Sequence, residues 1–392
     1  MEVKNMIALD YCKFVTDGTH DSPKAKDNGF KLITSKHLKR YEIDFENANF
    51  ISEEDYKKVI ERSFVEQWDI LFSMIGTIGN LYIETNSEIN YACKNIGIFQ
   101  LGGDEMKSKW LYYYLQSPKA LEYIGAVSRG TTQGYVPLGA LRKMPVDVVE
   151  DTIRDKIVTF LWDLDEKIKT NIAINNNLEQ QAQAIFANEF LSLDTLPEGW
   201  KQASLIDVAD YLNGLAMQKY RPTADESGIP VLKIKELRQG CCDDNSELCS
   251  PSIKSDYIIH DGDVIFSWSG SLLVDLWCGG ICGLNQHLFK VTSSKYDKWF
   301  YYAWTKHHLD RFVAVAADKA TTMGHIKRDE LAKAEVLIPN EADYNRIGAL
   351  LQPIYEMIIS NRIENKKLAA TRDALLPKLM NGEIDMSEVD YE

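Results

Sequence analysis

The sequence predicts an α+β protein built twice over. Two similar mixed α/β domains are separated by two long helices, which form an antiparallel coiled coil with internal pseudo-twofold symmetry. Three observations predict it. The second half of the 392-residue chain restates the first at an offset of about 190 residues. Each half opens with short β-rich runs bounded by glycine. Each half then closes on a long run whose apolar residues step by alternating fours and threes.

The repeat is explicit at five places in the same order. Gly29 through Leu38 matches Gly228 through Leu237, and Trp68-Asp69-Ile70-Leu71-Phe72-Ser73 returns as Gly262-Asp263-Val264-Ile265-Phe266-Ser267. Asn95 to Phe99 matches Asn285 to Phe289, with Ile96 and Gly97 set opposite Gln286 and His287. Trp110-Leu111-Tyr112-Tyr113 returns as Trp299-Phe300-Tyr301-Tyr302, and Thr131-Thr132-Gln133-Gly134-Tyr135 as Thr321-Thr322-Met323-Gly324-His325. This divides the chain into a first domain (1–150), a first spacer helix (151–192), a second domain (193–340), a second spacer helix (341–382) and an acidic tail (383–392).

The first spacer helix is expected to start at Thr152, which with Asp155 makes a capping box, and to end near Asn188, ahead of Pro197 and Gly199. Asn340 is the expected N-cap of the second, with Asp343 three residues on. Pro353 predicts a kink or restart there, and the end is expected near Pro377, with Asn381-Gly382 as the stop signal. The first seam reads Ile157, Leu161, Leu164, Ile168, Asn171, Asn175, Leu178, Ala182, Ile185. The second reads Ile347, Leu351, Ile354, Ile358, Asn361, Asn365, Leu368, Arg372, Leu375. Asparagines at the same phase of both seams predict mutual pairing that fixes register; the alternative is two unpaired helices with exposed asparagines. A helix of roughly 40 residues spans about 60 Å, so it serves as a spacer. The Leu-Pro-x-Gly-Trp opening (Leu196 to Trp200) occurs only in the second half, which predicts a shortened edge in the first domain.

Composition narrows the function. The net charge is −14, and no segment is net basic, so attraction to a polyanion has to come from local basic patches or from partner subunits. The seven cysteines form no Cys-x-x-Cys pair. Cys278-x-x-x-Cys282 with Cys241, Cys242 and Cys249 is the nearest approach to a metal pattern, and it reads as ordinary core. No metal site is expected. Unpaired thiols, no apolar run of bilayer length and no secretory leader predict a cytoplasmic protein that does not enter a membrane. Neither a phosphate loop nor a dinucleotide fingerprint occurs, nor an Asn-Pro-Pro or Asp-Pro-Pro motif; Glu364-Asn365-Lys366 falls within the coiled-coil stretch. A binding protein fits better than an enzyme.

At this point the motifs resemble a known family. Asp17-Gly18-Thr19-His20-Asp21-Ser22-Pro23, Leu196 to Trp200, Thr321 to Ile326 and Leu375-Leu376-Pro377-Lys378-Leu379-Met380-Asn381-Gly382 are similar to the specificity subunits of type I restriction-modification enzymes. The resemblance spans essentially the whole chain. It implies a non-catalytic subunit with two target-recognition domains, each reading one half of a split double-stranded DNA sequence. It implies docking of two methyltransferase subunits, motor-nuclease subunits in the restriction form, and no cofactor in this chain, S-adenosylmethionine belonging to the methyltransferase partner. The alternative is a coiled-coil scaffold that binds protein without reading DNA.

The candidate DNA-contact residues are Thr19, His20, Ser73, Thr131, Thr132, Gly134 and Tyr135 in the first half. In the second they are Ser267, Gln286, His287, Thr321, Thr322, Gly324, His325 and Lys327. Gln and His side chains suit base edges, and Gly, Thr and backbone N–H groups suit phosphate. For the Thr-Thr-x-Gly pair and for Asp17 to His20 a plain turn is the other reading. Tyr112, Tyr113, Tyr301 and Tyr302 read as helix core.

Overall fold

The computed structural model describes residues 3–130, 134–318 and 328–387. The chain divides into two compact units, Met1–Lys169 with Leu368–Glu392, and Thr170–Lys367.

Among the described residues, unit 1 holds nine strands: β1 (Lys4–Ile7), β2 (Phe14–Asp17), β3 (Phe30–Thr34), β4 (Asn49–Ile51), β5 (Ile70–Ser73), β6 (Leu81–Ile83), β7 (Tyr91–Lys94), β8 (Ile96–Gln100) and β9 (Pro145–Val148). β1 pairs antiparallel with β9, a four-stranded sheet runs β2-β8-β5-β6, and a three-stranded sheet runs β4-β3-β7 with β3 and β7 parallel. β5 (Ile-Leu-Phe-Ser) and β8 (Ile-Gly-Ile-Phe-Gln) are buried along their whole length, as continuous apolar strands require. Asp104 caps the helix Glu105–Tyr114 by accepting from Lys107 N at 3.0 Å. That helix buries Trp110, Leu111, Tyr112 and Tyr113 in one core with Phe72, Phe99, Ile157 and Leu161.

Unit 2 repeats this plan. Its strands are β10 (Lys201–Ser204), β11 (Asp210–Asn213), β12 (Ile229–Leu232), β13 (Leu248–Cys249), β14 (Ile258–Ile259), β15 (Val264–Ser267), β16 (Leu273–Leu276), β17 (Cys282–Leu284), β18 (Leu288–Thr292) and β19 (Glu335–Ile338). β10 pairs with β19, one sheet runs β11-β18-β15-β16, and another runs β13-β12-β17-β14 with β12 and β17 parallel. The helix Lys298–His307 supplies Trp299, Phe300, Tyr302 and Trp304 to the core. The predicted architecture of two similar mixed domains joined by long helices is the one observed. The first domain is not shortened at its edge. β1 pairs with β9 over four residues, as β10 does with β19. In the second half the Trp200 lead-in docks on the start of the second long helix, its Nε1 donating to Asp343 (2.9 Å).

The long helices are Asp151–Phe186 and Glu341–Met380. Thr152 is not the first cap: it lies inside the first turn and donates to the Glu150 carboxylate (2.8 Å), while Arg154 N donates to Glu150 O (2.9 Å). Asn340 caps the second helix, its Oδ1 accepting from Asp343 N at 2.9 Å. Pro353 and Pro377 neither break nor end that helix. Each proline costs about 3 kcal/mol in a helix interior. Around Pro353 the buried residues are Leu351, Tyr355 and Ile358; around Pro377 they are Leu376, Leu379 and Met380. Burial at about 1.5–3 kcal/mol per large apolar side chain outweighs that cost. The stop comes at Gly382, whose φ of +77° suits glycine.

The two seams carry different polar cores. In unit 2, Asn171 Nδ2 donates to Asn365 Oδ1 (2.8 Å) and Glu364 (2.6 Å), and Asn361 Nδ2 donates to Asn175 Oδ1 (2.9 Å). As residue numbers rise on one helix they fall on the other, so these segments run antiparallel. In unit 1, Asp165 and Arg372 form a buried ion pair (2.5 Å), and Tyr41 and Tyr113 each donate to the Asp165 carboxylate at 2.8 Å.

Another carboxylate of unit 1, Asp69, is buried away from any such pairing with arginine. Asp69 is fully buried, accepts from Glu66 N and Leu101 N, and burial raises its pKa to about 7. Its counterpart Asp263 has Lys290 at 2.9 Å. β5 Leu71 pairs with Ile98, and β15 Ile265 pairs with Lys290, so Ile98 stands where unit 2 has its lysine. A folded-state pKa above the unfolded one favours the fold below the unfolded value, near pH 4, and that advantage is lost as pH rises through 7. Stability of unit 1 is therefore expected to fall by up to about 1.4 kcal/mol per pH unit between pH 4 and 7 from this group. Denaturant unfolding of the wild type and of Asp69→Asn across that range checks it; the variant should lose part of the slope.

Candidate nucleic-acid interface

In unit 1 the chain leaves β2 and runs along the end of β7. Thr19 N donates to Cys93 O (3.0 Å), and a Cβ on Gly18 would stand 2.3 Å from that same oxygen, so the close approach requires glycine. The buried Asp17 carboxylate meets His20 Nε2 at 3.0 Å and Arg62 at 3.1 Å. His20 Nδ1 meets Asn95 Oδ1 at 2.8 Å, and Thr19 Oγ1 accepts from Asp21 N. Asp17 thus orients two exposed groups from below. They border a groove of about 850 Å3, walled by residues 19–26 and the helix Glu53–Ser63, and lined by Lys24, Lys26, Lys58 and Arg62 together with Asp21, Glu54 and Asp55.

The corresponding place in unit 2 is built alike and lined differently. Leu215 N donates to Leu284 O (2.9 Å), and a Cβ on Gly214 would lie 2.2 Å from Asn285 O. A cleft of about 450 Å3 is lined by Gln218, Arg221, Lys233, Lys235, Gln286 and His287, among others. Glu247 joins Arg221 (2.8 Å) to Lys233, and the hydrogen bond from Lys233 holds its carboxyl below the usual range. His287 Nδ1 is buried and has no hydrogen-bond partner among the described residues, while its ring stands 6.1 Å from that of Trp268.

Strand register corrects one reading. Thr19 bridges Lys94 as Leu215 bridges Asn285, and Ser73 pairs with Ile96 as Ser267 pairs with Leu288. Lys94 therefore corresponds to Asn285 and Ile96 to Leu288. Asn95, at φ +55°, is replaced by two residues, Gln286 and His287. These are not the counterparts of Ile96 and Gly97; they fill a connection that is one residue longer in unit 2.

Ser73 and Ser267 are not presented to a ligand. Both are fully buried, Ser73 donating to Thr77 O and Ser267 to Ser271 O (2.9 Å), so they close the turns that follow β5 and β15. Gly134 and Tyr135 lie against β5's extension: Gly134 O accepts from Gly76 N, and Tyr135 exchanges two backbone bonds with Arg129 and is 41% exposed. Thr131, Thr132, Thr321, Thr322, Gly324, His325 and Lys327 lie outside the described residues. Sequence reasoning missed the groove cations and the brace Asp17. Lys24, Lys26, Lys58, Arg62 and Arg221 sit outside the matched stretches, so the repeat gave no signal for them; Lys233 and Lys235 lie within the matched run Gly228 to Leu237, where Lys36 stands opposite Lys235. Among the described residues no cluster of three or more His, Cys, Asp or Glu could hold a metal ion, and no helix is long and apolar enough to cross a membrane.

One strand plan used twice, each copy with its own polar groove, defines a two-domain recognition protein. The chain belongs to the type I restriction modification DNA specificity domain family, whose profile matches it twice, over residues 24–180 and 197–370. Among its relatives, the type I restriction enzyme MjaIX specificity subunit of Methanocaldococcus jannaschii is 26% identical over 96% of this chain and 92% of its own length. The HindI specificity subunit of Haemophilus influenzae is 19% identical over 82% of this chain and 87% of its own. The crystal structure of a type I restriction-modification S subunit from M. genitalium has a TM-score of 0.56 at 12% identity, covering 96% of each chain; that likeness is one of fold.

Proposed function

We propose that this chain is the sequence-specific DNA-recognition subunit of a type I restriction-modification complex, in which residues 1–150 and 193–340 each read one half of a split target. The observation that carries this is that each unit has a polar groove bordered by the segment after its crossing glycine, walled otherwise by the helix Glu53–Ser63 in unit 1 and by Lys233, Lys235, Gln286 and His287 in unit 2. Two unlike readers on one repeated frame suit two unlike half-sites. Thr19, His20 and the groove lysines of unit 1 suit phosphate and base edges, as do Gln286, His287, Arg221, Lys233 and Lys235 of unit 2. The Thr-Thr-x-Gly segments at 131–134 and 321–324, with Tyr135, His325 and Lys327, belong to the same assignment.

The helices at 151–192 and 341–382 set the spacing and dock two methyltransferase subunits, with motor-nuclease subunits in the restriction form. Methyl transfer from S-adenosylmethionine and strand cleavage then belong to the partners, in the cytoplasm, and this chain carries out neither. The net charge of −14 makes the groove cations and the partners share the attraction to phosphate.

The test is a mobility shift of split-site DNA by this chain with its cognate methyltransferase subunit across a salt series. A salt-dependent shift is expected, its slope falling by about 0.9 for each phosphate-contacting cation removed. No shift at low salt would favour the protein-binding scaffold; methyl transfer by this chain alone would refute the recognition-only role.

The asparagine pairs are assigned to helix register. Under the 190-residue offset, the pair Asn171–Asn365 maps onto Asn361–Asn175, so one polar contact is made twice. Replacing Asn171 and Asn361 together by leucine should shift the register or change the association state. Hydrogen exchange and light scattering check this; an unchanged, equally ordered protein would remove the register role.

A further inference from the structure

In unit 2, four charges of alternating sign join the second domain to both long helices. On the second long helix, Arg362 Nη1 donates to Asp275 Oδ1 (2.8 Å) and to Leu276 O (3.1 Å), both on β16. Its Nη2 donates to Glu179 Oε1 on the first long helix (3.0 Å). The other Glu179 oxygen accepts from Lys306 on the helix Lys298–His307 (3.3 Å), and Lys306 also reaches the Tyr302 hydroxyl (3.3 Å). The Arg362, Glu179 and Asp275 side chains are all half-buried, and none of the four charges lines the unit 2 cleft.

Unit 1 makes the same kind of joint from other positions. There Arg372 of the second long helix meets Asp165 of the first, and Tyr41 and Tyr113 of the first domain donate to that carboxylate. Tyr113 and Tyr302 match in the repeat, whereas Arg372 and Asp165 fall opposite Ala182 and Tyr355 and not opposite Glu179 and Arg362.

We propose that Arg362 is a positioning residue that fixes the unit 2 reader on its helix pair, so that selectivity for the gap between half-sites depends on it although it lies outside the cleft. This rests on the reading of the chain as a split-site DNA-recognition subunit. The apolar core that packs Trp299, Phe300 and Tyr302 with Ile347, Leu351 and Tyr355 attracts without direction. A planar guanidinium fork, by contrast, sets an angle. β16 is the edge of the sheet β11-β18-β15-β16, and Gln286 and His287 lead directly into β18, two strands away. A grip on β16 therefore carries through two strand pairings to the cleft. It also couples the reader to helix register. Arg362 follows Asn361, whose Nδ2 donates to Asn175, one helical turn before Glu179. A slip of one turn, about 5.4 Å, takes Glu179 out of reach. Changing the gap by one base pair shifts a half-site by about 3.4 Å and turns it by about 35°. A reader pinned by the fork follows that step less readily than one held by apolar contact alone.

The test uses the full chain with its cognate methyltransferase subunit. The duplexes carry both half-sites with the native gap, one base pair fewer or one more. In competition binding, Arg362→Ala should keep base discrimination in both half-sites and lose about 5- to 10-fold of the preference for the native gap. Arg362→Glu combined with Asp275→Arg, which exchanges the charges across the joint, should recover it. If Arg362→Ala fails to fold, Arg362→Lys, which keeps the charge and loses the fork, is read in the same way. An unchanged gap preference overturns the proposal, and so does a loss of base discrimination in the unit 2 half-site in place of the gap preference. A wild type that prefers no split site removes the DNA reading itself, and this inference with it.

Discussion

Replacing Arg372 with alanine is expected to destabilise unit 1 by about 3–5 kcal/mol, the cost of stranding a buried charge. The stranded group is the Asp165 carboxylate, 1% exposed, to which Arg372 Nη1 comes within 2.5 Å. Tyr41 and Tyr113 still donate to it, so its hydrogen bonds are partly kept while its countercharge is lost; Arg40 stands 4.0 Å away. The double substitution Asp165→Leu with Arg372→Leu should recover much of the loss, because apolar pairs often replace buried ion pairs at little cost. Unit 2 already shows such a solution. The offset of 190 takes Asp165 to Tyr355 and Arg372 to Ala182, both buried in an apolar core. Hydrogen exchange in the helix Glu105–Tyr114 and denaturant unfolding read the effect; equal stability of Arg372→Ala and wild type would contradict it.

The second large effect concerns readout. Substituting Gln286 and His287 by alanine should cost about 1–3 kcal/mol of discrimination at one half-site, or about 5- to 150-fold, and leave the other half-site unaffected. Both residues line the unit 2 cleft beside Lys233 and Lys235. By contrast, Lys233→Ala or Arg221→Ala should weaken binding evenly across sequences and flatten its salt dependence. Competition binding with DNA altered in one half at a time separates the two classes. Equal losses at both half-sites would show that unit 2 does not read alone.

The fold was legible because repeats and seams are periodic. The aligned Asp69 to Ser73 and Asp263 to Ser267 runs became β5 and β15, and the four-three steps became two long helices. Helix ends were less legible. Pro353 and Pro377 have local effects that tertiary burial overrides, and no local signal reports on that burial. Ser73 and Ser267 show the same limit: a serine matched across the repeat marks an equivalent place, and here the place is a buried turn. Gln286 and His287 attracted notice because they differ between the halves. Only strand pairing reveals them as a longer connection. The unit 1 groove itself was invisible, since Lys24, Lys26, Lys58 and Arg62 come from segments without internal counterparts.

Mapping base methylation in cells that carry this chain and its cognate methyltransferase, with and without the Gln286 and His287 substitutions, addresses the whole account at once. Two specified half-sites separated by a fixed unspecified gap are predicted, with the substitutions relaxing one half and sparing the gap and the other half. A single uninterrupted motif, or a change spread over both halves, would contradict it.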